Sequence, residues 1–213
     1  DKNVCFSDEN TLESVDVLID FTLPDGMRSH LKRAVEQSLP LVIGTTGLTA
    51  DDMALLENAA KHIPIVFARN YSVGVNVLLN LVQTAATKFG DDLDIEIFEA
   101  HHRHKIDAPS GTALAIGESI ADAKGWNHEE VAVYDRSQIE TEKSQNEIGY
   151  SVLRGGDIVG EHTAYFATMG ERLELTHKAS SRMTFALGAI RAASWLQNKP
   201  VGLYDMQDVL DLK

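Results

Sequence analysis

The sequence predicts an α/β protein with a parallel sheet in its first half and a separate, open mixed β-sheet in its second. Up to about residue 89, short apolar runs alternate with helical stretches, which is typical of βαβ units. From Leu93 onward, apolar and polar residues alternate with a period of two, as in strands with two different faces. At 213 residues the chain is long enough to bury the cores of two small domains.

Three apolar runs are the predicted strands of the first sheet. Because parallel strands are covered on both faces, their apolar composition favours a parallel arrangement. Pro24 is suited to the first turn of a helix, and Thr49 or Asp51 can cap the next one. The predicted strands are 15–21, 41–43 and 63–67. One helix is predicted from 24 to about 37, a second begins at about 50, and a third ends at about 89.

The loops that follow these strands carry small or hydroxyl-bearing residues. Ligands of parallel sheets bind at the carboxyl ends of the strands, so three such loops together favour a binding crevice. Each loop taken alone is equally well explained as a tight turn. The residues concerned are Phe21, Thr22, Gly44, Thr45, Thr46, Ala68, Arg69, Asn70 and Tyr71.

The second half of the chain is predicted to form the open mixed sheet and to end in helices. Glycine-containing turns separate its strands. A helix with one apolar face follows, and the acidic tail is predicted to be a short helix. The predicted strands are 93–101, 131–134, 148–154, 158–168 and 172–179, and the helices are 182–197 and 204–212.

Composition excludes several classes of protein. The formal net charge of −13 argues against binding to nucleic acid or to anionic membranes, because both depend on basic surfaces. No apolar run approaches the roughly 20 residues that a membrane helix needs. The single cysteine, Cys5, excludes an internal disulfide and agrees with a cytoplasmic location.

A cationic segment, residues 101–105, stands out in this acidic chain. It contains three histidines, Arg103 and Lys105, and Pro109-Ser110-Gly111-Thr112 follows at a predicted helix start. Histidine is suited to proton transfer near neutral pH, and free amides at a helix start favour carboxylate or phosphate. The segment therefore predicts a site for an anion with more than one negative group that also receives a proton.

Two alternatives to the anion site remain open. His102 and His104, two apart on a strand, could ligate zinc with a carboxylate from Glu99 or Asp107, as in a metal-dependent hydrolase. Two fixed cations within the cluster disfavour this, and we predict no metal site. The other alternative is a solvated polar loop.

The motif from Glu99 to Ala113, EAHHRHKIDAPSGTA, resembles that of the dihydrodipicolinate reductase family. The resemblance extends in order through the stretches Asp20-Phe21-Thr22, Gly44-Thr45-Thr46-Gly47, Asn70–Asn76, Gly160–Thr163 and His177–Arg182. It implies a reductase of lysine and diaminopimelate biosynthesis that uses NADH or NADPH. The implied substrate, a cyclic imine with two carboxylates, suits the anion site.

The resemblance also implies roles for individual residues. His101 corresponds to the proton donor and Lys105 to a second catalytic cation. His102, Ser110, Gly111 and Thr112 correspond to substrate contacts, and the loops at the strand ends correspond to the cofactor site. The implied domains are a partial Rossmann-type domain, 1–71 with 183–213, and a substrate and oligomerisation domain, 72–182, that builds a homotetramer.

One departure from the family concerns the phosphate loop. The family begins with a strand, a glycine-rich loop and a helix, whereas this chain has no glycine before Gly26 and no G-x-G-x-x-G motif. The chain therefore resembles a member that lacks its first βαβ unit. From this we expect weak dinucleotide binding, with an inactive chain or a non-catalytic oligomeric remnant as further hypotheses.

Overall fold

The computed structural model describes residues 15–90 and 92–213. Its strands are β1 (Leu18–Asp20), β2 (Leu41–Ile43), β3 (Pro64–Phe67), β4 (Asp94–His101), β5 (Ala132–Val133), β6 (Ile148–Arg154), β7 (Gly160–Thr168), β8 (Glu171–Ala179) and β9 (Gly202–Tyr204). Its helices are α1 (Pro24–Glu36), α2 (Ala50–Ala59), α3 (Val73–Lys88), α4 (Gly111–Lys124), α5 (His128–Val131), α6 (Met183–Leu196) and α7 (Met206–Val209).

The chain forms two compact units. The first runs to Arg69 and resumes at Gly188, and the second contains residues 70–187. The first unit holds a four-stranded, fully parallel sheet in the order β1-β2-β3-β9. The second holds a five-stranded mixed sheet in the order β5-β6-β4-β7-β8. This confirms the predicted α/β fold with one parallel and one mixed sheet.

Local sequence explains the helix starts of the first unit. Pro24 occupies the first turn of α1, where its missing N–H costs nothing. Thr49 caps α2 in a reciprocal pair with Asp52, in which each side chain accepts from the other residue's backbone N–H. The core beneath these helices is apolar and includes Met27, Leu31, Leu41, Leu56 and Ile65.

The second unit has its own core between the mixed sheet and helices α3 and α4. Ile95 and Ile97 of β4 are completely buried there, together with Ile116 of α4 and Phe166 of β7. Because side chains alternate along a strand, the same face of β4 continues to Glu99 and His101. The apolar pattern of β4 therefore fixes which of the neighbouring histidines points into this unit.

Three element predictions were partly wrong. Strand β1 covers only Leu18–Asp20, and the strand predicted at 131–134 is confirmed only at Ala132–Val133 (β5), because Val131 ends helix α5. The tail predicted as one helix begins with β9, which pairs with β3, before α7. Among the described residues, no helix is long and apolar enough to cross a membrane.

Candidate active site

Glu99 and His101 form a buried pair at the end of β4. Glu99 is completely buried and His101 is 8% exposed, although both are ionisable. Nδ1 of His101 donates a hydrogen bond to Oε2 of Glu99 at 2.6 Å. This bond places the ring's first proton on Nδ1, so Nε2 is the nitrogen that gains and loses a proton.

The carboxylate of Glu99 has three further donors. The backbone N–H of Ser110 donates to Oε1 at 3.0 Å, and the two terminal nitrogens of Arg154 donate to the two oxygens at 2.8 Å each. One Arg154 nitrogen also donates to the carbonyl oxygen of Asp107 at 2.6 Å. Glu99 therefore connects β4, the last residue of β6 and the start of α4.

Sheet register brings these residues together from distant parts of the chain. Strands β4 and β6 pair in parallel with His101 opposite Arg154. Strands β4 and β7 pair antiparallel with Glu99 opposite His162. The rings of His101 and His162 meet edge to face, with their centroids 5.1 Å apart.

Ser110 begins α4 and contacts His162. Its Oγ accepts a hydrogen bond from the backbone N–H of Ala113 at 3.2 Å, as expected of an N-cap. The same Oγ lies 3.0 Å from Nε2 of His162. Within the described part of the chain, Nδ1 of His162 has no hydrogen-bond partner. Gly111, the next residue, is exposed. The N-terminus of α4 therefore begins at a serine that contacts a buried imidazole, and the first residue of the helix is accessible.

The remaining predicted substrate residues each have a polar partner. Lys105 forms an ion pair with Asp107 at 2.9 Å. Nε2 of His102 accepts a hydrogen bond from Arg182 at 3.3 Å. Thr112 accepts one from the side-chain amide of Asn70 at 3.1 Å, which connects a predicted cofactor residue to a predicted substrate residue.

The predicted cofactor loops of the first unit are organised by Asp20. This buried carboxylate accepts hydrogen bonds from the backbone and hydroxyl of Thr22, from the Thr45 hydroxyl at 2.6 Å and from Nδ1 of His30 at 2.5 Å. It thereby joins the loop after β1 to the loop after β2.

The surfaces of these loops differ from residue to residue. Phe21 is half exposed, and its ring lies against Gly44, where an added Cβ would meet it at 2.3 Å. Thr46 and Arg69 are exposed, whereas Thr45 and Ala68 are buried. Tyr71, which belongs to the second unit, is buried with 1% exposure. Phe21, Thr22, Thr46 and Arg69 are therefore the exposed members of the predicted cofactor set.

Burial and charge shift the protonation of the buried groups. Desolvation lowers the pKa of His101, and the cations Lys105 and Arg154 lower it further, while Glu99 opposes them. Desolvation lowers the pKa of His162 to about 3, so this ring is neutral near neutral pH. The pKa of Glu99 lies below its ordinary value: burial raises it, but hydrogen bonds from Arg154, His101 and Ser110 outweigh that effect.

The geometry gives no support to the zinc alternative. Among residues 15–90 and 92–213, no group of three His, Cys, Asp or Glu side chains is arranged to hold a metal ion. Nε2 of His102 instead receives the guanidinium of Arg182, and Glu99 is occupied by Arg154, His101 and Ser110.

Sequence reasoning had not assigned a part in this site to Glu99, Arg154, His162 or Arg182, apart from Glu99 as a possible metal ligand. A usable signal existed for Glu99: it lies on the face of β4 that also carries Ile95 and Ile97, so a carboxylate there had to be buried and partnered. Arg154 and His162 reach the site only through strand register, which no local pattern shows.

A parallel sheet with organised loops and a buried carboxylate–histidine pair beside a helix start are typical of an α/β enzyme. Comparison with known families identifies which one. Residues 1–71 match the family described as dihydrodipicolinate reductase, N-terminus, and residues 74–210 match its C-terminus counterpart. The chain belongs to the dihydrodipicolinate reductase family.

Individual relatives agree with this assignment. A protein of Pseudoalteromonas translucida (strain TAC 125), named 4-hydroxy-tetrahydrodipicolinate reductase, is 84% identical over all of this chain and 80% of its own length. One of the same name from Pseudomonas fluorescens Pf-5 is 59% identical over 96% of this chain and 76% of its own. Nothing in these similarities supports the hypotheses of an inactive chain or a non-catalytic remnant.

The fold also has a solved counterpart. The dipicolinate-bound dihydrodipicolinate reductase from Paenisporosarcina sp. TG-14 superposes with a TM-score of 0.71. The alignment covers 91% of this chain and 72% of that one at 24% identity. This similarity confirms the fold.

Proposed function

We propose that this chain reduces 4-hydroxy-tetrahydrodipicolinate to tetrahydrodipicolinate in lysine and diaminopimelate biosynthesis, consuming one NADH or NADPH and one proton and releasing the 4-hydroxyl group as water. The observation that carries the proposal is the Glu99–His101 pair, which holds an imidazole beside the N-terminus of α4. A proton donor next to free helix amides suits a substrate that carries carboxylates and must be protonated. The names of the relatives support the same reaction.

The anion site is assigned to the start of α4 and its neighbours. The amides of Gly111 and Thr112, with the positive end of the helix dipole, suit one substrate carboxylate. Lys105, Ser110 and His102 supply further polar contacts around it. Lys105 exchanges Asp107 for a substrate carboxylate in this scheme, since that ion pair is partly exposed and costs little to break.

His101 is assigned as the proton donor. Glu99 holds Nδ1, so Nε2 delivers the proton to the carbon or nitrogen that becomes basic as the ring is reduced. Because desolvation lowers the pKa of His101, its imidazolium is a stronger acid than an exposed one. A bound dianion raises that pKa again, so substrate itself favours the protonated state of the donor.

The loops of the first unit fit a dinucleotide. Phe21 offers an exposed aromatic face, and the hydroxyl of Thr46 and the guanidinium of Arg69 are exposed polar groups. Thr22, Gly44, Thr45 and Ala68 complete the cofactor set of the first unit through backbone and positioning contacts. Asn70 and Tyr71, which begin the second unit, are also assigned to the cofactor. The reduced nicotinamide supplies the hydride. Asp20 keeps two of these loops in place through its bonds to Thr22 and Thr45.

Loss of reduced-nicotinamide absorbance on addition of freshly formed substrate tests the reaction. We expect turnover that depends on both substrates and is inhibited by dipicolinate, a flat ring with two carboxylates. Absence of turnover with both NADH and NADPH, in protein shown to be folded, would refute the proposed function.

Replacing His101 by Ala tests its role separately. We expect kcat to fall by roughly 10²- to 10⁴-fold, the usual contribution of a general acid, with nucleotide affinity nearly unchanged. His104→Ala is the matched control, because His104 belongs to the same segment but is exposed. Unchanged kcat in His101→Ala would exclude it as the proton donor.

Other aspects of the proposal concern partners and location. The first unit is assigned to the dinucleotide, and the second unit to substrate and to assembly of a homotetramer. We assign no metal, no nucleic acid and no membrane as a partner, and we propose a cytoplasmic location. Light scattering of the purified chain tests the tetramer directly.

A further inference from the structure

We propose that Glu99 and Arg154 are a pair of positioning residues for His101. The carboxylate of Glu99 accepts the hydrogen bond from Nδ1 and so fixes the orientation of the ring. The guanidinium of Arg154 limits how strongly that carboxylate stabilises the imidazolium form of His101. This inference rests on the proposed role of His101 as proton donor.

The geometry gives Glu99 a defined orienting function. Its two oxygens accept four hydrogen bonds, from His101, Ser110 and Arg154. The oxygen that receives Nδ1 of His101 also receives one Arg154 nitrogen, so the carboxylate cannot rotate without breaking both bonds. The ring consequently keeps one tautomer, in which Nε2 is the free nitrogen.

The other side of the ring is also restricted. A Cβ at residue 160 would lie 3.0 Å from Nε2 of His101, so Gly160 leaves the space that this orientation requires. His162 packs against the ring edge to face and is neutral near neutral pH. His101 is thus held by Glu99 from one side and by β7 from another.

Arg154 has a distinct electrostatic effect. A buried carboxylate alone beside an imidazole would strongly favour the imidazolium and make it a poor acid. The guanidinium of Arg154 pairs with the same carboxylate through two bonds of 2.8 Å and is itself only 19% exposed. It therefore offsets part of the carboxylate's charge at His101 while leaving the orienting bond intact.

In the described part of the chain, four ionisable groups act on His101. They are Glu99 on its own strand, Lys105 in the following loop, Arg154 on β6 and His162 on β7. Lys105 is already paired with Asp107, and His162 is neutral, so Glu99 and Arg154 are the charges that a substitution can change most directly.

The test is the pKa of His101 in the full-length chain, measured by NMR from its ring signals in histidine-labelled protein. Glu99→Gln keeps the shape but removes the negative charge, and we expect the pKa of His101 to fall by about one pH unit or more. Arg154→Met removes the positive charge, and we expect a smaller shift in the opposite direction, a rise. The 15N shifts should show Nδ1 protonated in the neutral ring of the wild type.

Shifts of the His101 pKa in opposite directions in Glu99→Gln and Arg154→Met would distinguish this role from a merely structural one. If the two residues only held the strands together, either substitution would admit water and move the lowered pKa of His101 upward in both variants. Shifts in the same direction, or no shift in either variant, would refute the proposal. Arg154→Gln repeats the charge removal with a side chain that can still donate to Asp107, in case Arg154→Met does not fold.

Glu96→Gln is the matched control, since Glu96 lies on the opposite face of β4 and pairs with Lys143. It should leave the pKa of His101 unchanged. In an active enzyme, the pH above which kcat/KM declines should move down in Glu99→Gln and up in Arg154→Met. A wild type without reductase activity would overturn the proposed function, while the NMR titration would still decide the inference.

Discussion

Replacing Ser110 by Ala should destabilise the second unit more than the loss of an ordinary helix cap. The hydroxyl of Ser110 caps α4 by accepting from the backbone N–H of Ala113. It also lies 3.0 Å from Nε2 of His162, which is 4% exposed. The substitution therefore leaves the backbone N–H of Ala113 and Nε2 of His162 without this partner, and His162 is deeply buried.

The magnitude follows from those two losses. Replacing an N-cap serine by Ala costs about 1 kcal/mol. Leaving a buried polar atom unpaired costs about 1–3 kcal/mol more. We therefore expect the free energy of unfolding to fall by about 2–4 kcal/mol in Ser110→Ala. For Asn127→Ala, which removes the exposed cap of α5, we expect about 1 kcal/mol or less.

Urea unfolding followed by circular dichroism measures these differences. A double-mutant cycle with His162→Phe isolates the free-energy contribution of the buried Ser110–His162 contact, because the phenyl ring has no nitrogen to leave unpaired. The two substitutions should cost less together than the sum of their separate effects, with a coupling of about 1 kcal/mol. Additive effects, or equal losses in Ser110→Ala and Asn127→Ala, would refute the reasoning about His162.

Two further predictions concern Lys105 and His162. Lys105→Ala should raise KM and lower kcat in the reductase assay. It should change the free energy of unfolding by less than about 0.5 kcal/mol, since the ion pair of Lys105 with Asp107 is partly exposed. Unchanged kinetics would contradict the assignment of Lys105. Burial lowers the pKa of His162 to about 3, so the unfolded chain binds a proton there that the folded chain does not. Stability should therefore fall on acidification between about pH 6.5 and 3, by up to about 1.4 kcal/mol per pH unit from this group. His162→Phe should flatten the pH dependence measured by urea unfolding, and an identical slope would contradict it.

Local patterns predicted most elements of the fold because most are specified locally. The apolar run Leu41–Ile43 is a buried parallel strand, and Thr49 and Ser110 cap the helices that follow them. Strand β9 was missed because its three residues have no distinctive pattern and its ladder is with β3, more than 130 residues earlier in the chain. Such long-range pairing leaves no trace in the local sequence.

The site also has a part that local sequence specifies and a part that depends on long-range strand pairing. The period of two in β4 correctly placed His101 on the buried face, and it placed Glu99 there too. What the pattern could not supply was the partner of that carboxylate. Arg154 is the last residue of β6, and the six residues before it resemble those of many other strands. Only the parallel register with β4 brings Arg154 opposite His101.

Structure also changes how the cationic segment works. Its five side chains do not form one positive cluster: His101 enters the sheet face to meet Glu99, His102 meets Arg182, and Lys105 meets Asp107. Arg103 and His104 are exposed. Because each buried or half-buried member already has a partner, the segment's positive charge is divided among separate contacts. In the proposed scheme, a substrate anion at the start of α4 would compete with Asp107 for Lys105, so binding would exchange one ion pair for another.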